Sequence, residues 1–136
     1  MRQALTQAAH HCAHRKGSGN VQCLDVLRAL SKEPGVLEAL FTELGDGHGD
    51  PRLAAFIGNL KGAFADTGDI QYRARQLTED IAVALQAKLL LEAGNATVSD
   101  AFIGSRLGAG GRVYGVLPRG VDAAALVARA TPAWAG

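Results

Sequence analysis

Ile70-Gln71-Tyr72-Arg73-Ala74-Arg75-Gln76-Leu77-Thr78-Glu79-Asp80-Ile81-Ala82-Val83-Ala84-Leu85-Gln86-Ala87-Lys88-Leu89-Leu90-Leu91-Glu92-Ala93 places Ile70, Ala74, Leu77, Ile81, Leu85 and Leu89 at steps of three and four. Such spacing gathers apolar side chains on one stripe of an α-helix, whereas a strand needs alternation with a period of two. Residues 70–93 are therefore expected to form the longest helix of the chain, stopped by Gly94-Asn95.

The same period recurs on both sides. Residues 21–32 carry Val21, Leu24, Leu27 (or Val26) and Leu30, and Pro34 stands at the start of a stripe made by Val36, Leu37, Leu40, Phe41 and Leu44. Asp50-Pro51 combines an N-cap with proline at the first helical position, and Leu53, Phe56, Ile57, Leu60 and Phe64 follow at helical spacing. Further helices are expected over residues 2–15, with Leu5, Ala8, Ala9 and Cys12 on one face, over 98–107, and near 122–130. Gly45-Asp46-Gly47-His48-Gly49 and the glycine-rich residues 108–115 read as loops. The expected fold class is all-α, a helical bundle with short connections between antiparallel neighbours.

Composition agrees. Aromatic residues make up 5% of the 136 residues and hydrophobic residues 48%, a balance that favours helices over a β-rich core. One domain is expected at this length. A net charge of +1 gives no overall pull toward nucleic acid or an anionic membrane. The longest apolar run, Leu89-Leu90-Leu91, is too short for a membrane span, and the first residues lack the apolar run of a signal peptide. Cys12 and Cys23 are expected to be reduced thiols, and the chain to be cytoplasmic.

Chemistry concentrates in Gly17-Ser18-Gly19-Asn20, a turn that opens onto the helix of residues 21–32. Its glycines allow close backbone approach, Ser18 or Asn20 can cap the helix, and the helix start suits a phosphate. His10 and His14 lie one helical turn apart beside His11 and Cys12, but two ligands do not complete a tetrahedral site, so no metal is expected. Gly108-Ala109-Gly110-Gly111 lacks the strand and the glycine spacing of a nucleotide fingerprint. Arg106, Arg112 and Arg119 around it form a weak basic patch, read either as duplex-DNA phosphate contacts or as solvated loop charges.

From residue 17 onward the chain resembles the C-terminal portion of acyl-CoA dehydrogenases, in particular the DNA-alkylation-response (adaptive-response) branch. Three stretches carry the resemblance: residues 17–30, residues 98–108 (Val98-Ser99-Asp100-Ala101-Phe102-Ile103-Gly104-Ser105-Arg106-Leu107-Gly108) and residues 111–122 (Gly111-Arg112-Val113-Tyr114-Gly115-Val116-Leu117-Pro118-Arg119-Gly120-Val121-Asp122). Residues 1–16 are similar to the helix that starts the family's C-terminal helical domain and leads to its Arg-x-x-Phe-Gly flavin-contacting motif, here cut after Arg15-Lys16. The resemblance implies a flavin enzyme in which FAD takes a hydride from the β-carbon of a CoA thioester while a glutamate removes the α-proton.

That glutamate precedes the Gly-Ser-Gly-Asn turn in the family, and here the position is Lys16. A cation there does not accept a proton at neutral pH without deep desolvation. Against that resemblance, the family's Gln-x-x-Gly-Gly flavin motif, its N-terminal helical domain and its β-domain are missing, as expected of an internally deleted or a trimmed product. By motif, Arg15, Ser18 and Asn20 remain as flavin contacts and Gly17 as the residue against the substrate; no catalytic residue remains, and no FAD is expected on this chain. Three functions stay open at this point: an inactive piece of an acyl-CoA dehydrogenase-like protein, a helical DNA-binding module, and an oligomerisation or partner-binding bundle. Homo-oligomers are expected because Leu77, Ile81, Leu85 and Leu89, or Phe56 and Phe64, would otherwise lack full cover.

Overall fold

A computed structural model of the chain describes residues 19–33, 35–108 and 120–132. Every regular element among them is an α-helix: α1 (Gly19–Lys32), α2 (Val36–Leu44), α3 (Pro51–Ala65), α4 (Ala74–Glu92), α5 (Ala96–Arg106) and α6 (Ala123–Ala130). The expected helix over 2–15 and most of the glycine-rich loop lie outside the described residues. Among the described residues no helix is long and apolar enough to cross a membrane.

The helix starts follow from side chains that accept the N–H groups left over in a first turn. Asp50 accepts from the Arg52 and Leu53 amides with Pro51 at the first helical position, Asn95 from Val98, and Asp122 from Ala125. Asn95 thus starts α5 rather than merely ending α4, which explains why α5 begins two residues ahead of the expected 98–107. Helix α4 begins later than the expected residue 70. Asp69 has a left-handed φ of 54°, and the following residues form turns closed by Tyr72 N–H to the Asp69 carbonyl at 2.9 Å. Arg73 holds this turn by reaching back to the carbonyls of Ala63 (3.1 Å), Asp66 (2.6 Å) and Gly68 (3.0 Å) at the end of α3.

The core gathers on α4, which packs against α1, α2, α3 and α5. Its buried residues Ala74, Leu77, Ala84 and Ala87 join one cluster with Leu27 of α1, Leu40 and Leu44 of α2, Leu53, Ile57, Leu60 and Phe64 of α3, and Ile103 of α5. Phe41 sits edge-on to Phe64, with centroids 6.1 Å apart and planes at 79°. Small residues at 84 and 87 let the neighbouring helices close on the middle of α4.

The expected uncovered stripe needs correction. Leu77 and Phe64 are buried, Ile81, Leu85 and Phe56 are half-buried, and Leu89 is 55% exposed. Four residues turn a helix about 400°, so three such steps from Leu77 to Leu89 drift about 120° off the starting face. The row that stays inward uses steps of three as well, through Leu77, Ile81, Ala84 and Ala87. The chain therefore covers internally much of what the apolar stripe seemed to offer a partner.

Candidate functional site

Two ion-pair clusters tie distant helices together. At the start of α3, the Arg52 Nη2 lies 2.6 Å from both Asp50 Oδ2 and Asp100 Oδ1, linking the α3 cap to α5. Near the end of α4, Lys88 Nζ lies 2.7 Å from Glu92 Oε1 and 3.1 Å from Glu43 Oε1 of α2. The Lys88 side chain is only 13% exposed, with its ammonium within ion-pair distance of both carboxylates. Glu92 and then Glu43 raise its pKa above the ordinary 10.5. Lys88 is thus held as a cation, and it has no free electron pair to act as a base near neutral pH.

Asp50 is shifted in the opposite direction. The hydrogen bond from the Arg52 side chain holds its carboxyl below the ordinary 3.8; partial burial opposes this, and the Arg52 and Leu53 amides add to the lowering. A depressed carboxyl stabilises the fold fully above its unfolded-state pKa and loses that contribution as pH falls through the folded value. Asp50→Ala is expected to cost about 1 kcal/mol at neutral pH, the size of a lost cap. The gap between variant and parent in chemical denaturation should close as pH is lowered past 3.8. A gap that persists unchanged in acid would mean that the charged cap is not its source.

The residues singled out by the sequence distribute as follows. Arg15, Gly17, Ser18, Arg112 and Arg119 lie outside the described residues. Asn20 is in the first turn of α1, and Arg106 closes α5, half-buried. The start of α1 faces open space among the described residues: Gly19 is exposed, a Cβ placed on it would meet nothing within 4 Å, and Val21 is 50% exposed. Of the expected flavin and substrate contacts, the described residues therefore include Asn20 alone.

No protein-family model, curated protein or solved structure matches the chain. Any family assignment therefore rests on the residues themselves.

Two shallow grooves lie among the described residues. One, of about 430 Å³, is lined by Gly35, Glu38, Ala39, Thr42 and Glu43 along α2. The other, of about 230 Å³, lies between α5 and α6 and is lined by Asn95, Thr97, Val98, Ala125, Leu126 and Arg129. Among the described residues no group of three His, Cys, Asp or Glu could hold a metal ion, and the free thiol of Cys23 is half-buried against the core. The pairing of Lys88 with Glu92 is legible as an i,i+4 spacing, but its link to Glu43 and that of Arg52 to Asp100 join residues far apart in the chain.

Proposed function

We propose that the chain is the C-terminal helical region of an acyl-CoA dehydrogenase-like protein of the alkylation-response kind, and that it has no dehydrogenase activity by itself. The observation that carries the proposal is the start of α1 at Gly19, inside the Gly17-Ser18-Gly19-Asn20 turn that carries the resemblance, with Lys16 in the glutamate's position. The other two matching stretches support it. Residues 98–108 contribute most of α5, and the third stretch ends at Asp122, the cap of α6.

Loss of activity follows from charge and from the sequence junction. The α-proton needs a carboxylate within hydrogen-bond reach, and Lys16 supplies a cation instead. Lys16 also leads straight into Gly17, with none of the flavin motif that the family carries between them. What remains is a helical packing module whose core is built around α4.

Purified chain should be colourless and should reduce no electron acceptor when given acyl-CoA thioesters. Lys16→Glu alone should not restore turnover, because a base without flavin has no hydride acceptor beside it. Visible flavin absorption at one equivalent per chain, or thioester-dependent acceptor reduction, would overturn the proposal.

A further inference from the structure

Helix α6 is held differently from the rest of the bundle. None of its eight residues is buried, whereas every other helix among the described residues contributes at least one side chain to the core. It packs on α5, where Leu126 is half-buried over the groove formed with Asn95, Thr97 and Val98. Val127, the next residue, is 66% exposed, and Ala123, Ala124 and Ala125 are exposed as well. An isolated helix below about 12–15 residues is marginal in water, so α6 depends on docking and on the Asp122 cap, which accepts from the Ala125 amide at 2.9 Å.

We infer that α6 is a detachable strap: it folds on docking through Leu126, and it opens from the start of α5 by local unfolding while α1–α5 stay intact. The same contacts that hold it are the ones lost on opening, since Leu126 is the one half-buried residue of α6. Opening uncovers Asn95, Thr97 and Val98 at the first turn of α5 and leaves the α4 core untouched. Strap and bundle are therefore separate cooperative units, with α6 at the low-stability end.

Native-state amide hydrogen exchange on the full chain tests this. Amides of α6 should exchange roughly a hundredfold or more faster than the central amides of α4, relative to their intrinsic rates, and with little denaturant dependence. Leu126→Ala should speed α6 exchange by on the order of tenfold, a fraction of a full core truncation, while leaving α4 unchanged. Asp122→Ala, which removes only the cap, should act on the same α6 amides in the same direction. Protection of α6 equal to that of α4, or an equal response of α4 and α6 to Leu126→Ala, would show that α6 opens only with the whole fold and would overturn the inference.

Discussion

Leu77→Ala is expected to lower stability by about 3 kcal/mol, within the usual range for truncating a fully buried leucine. Leu77 is 1% exposed on α4, in one buried cluster with Leu53, Ile57 and Ile103, each 2% exposed or less. The loss therefore combines the transfer of the missing methyl-bearing carbons with a cavity that relaxes only in part. Leu89→Ala, three helical steps along the same sequence stripe, removes an equally large side chain from a 55% exposed site and should cost within about 0.5 kcal/mol. Urea denaturation followed by far-UV circular dichroism separates the two, since a shift in midpoint at constant slope reports stability. Equal costs would mean that the inward face of α4 has been assigned wrongly.

Gly47→Ala is the second large effect. Gly47 has φ of 91° in the turn before α3, a conformation that costs an L side chain about 1–2 kcal/mol. A Cβ there would stand 2.5 Å from the Ala54 backbone nitrogen and 2.8 Å from its Cα, inside the first turns of α3. Backbone cannot step aside as a flexible side chain can. The turn closed by Asp50 N–H to the Gly47 carbonyl at 3.0 Å would have to open, taking the Asp50 cap with it. A total near 3 kcal/mol is expected. Gly49→Ala isolates the backbone cost, because Gly49 also has positive φ, at 78°, but its Cβ would meet nothing within 4 Å. That variant should lose about 1 kcal/mol, and equal losses at 47 and 49 would contradict the close approach to α3.

Much of this architecture was legible in local sequence. Asp50-Pro51 marks the start of α3 because one side chain and one ring satisfy the first turn without help from elsewhere. The start of α6 was similarly legible from Asp122. The inward face of α4 was not, because an apolar residue at every fourth position is consistent with several neighbouring faces, and only the packing of α1, α3 and α5 selects among them. The α4 start was missed for a related reason. Arg73 looks like an ordinary surface cation in sequence, yet its guanidinium gathers three carbonyls from the end of α3 and holds a turn where the pattern suggested helix. Site chemistry was legible only as residue types. Lys16 at the position of an expected carboxylate is a statement about charge that needs no coordinates, while the Asp50–Arg52–Asp100 and Glu43–Lys88–Glu92 clusters require the fold to bring α3 to α5 and α2 to α4.

If the chain is the flavin-free helical region proposed above, its core around α4 stands without flavin. Unfolding of the chain in the presence of increasing FAD tests this directly, because a ligand that binds only the folded state stabilises it, by about 2.7 kcal/mol at a hundred times its Kd. The predicted result is a cooperative loss of helical signal whose midpoint is the same with and without FAD. A midpoint that climbs steadily with FAD concentration would contradict the account.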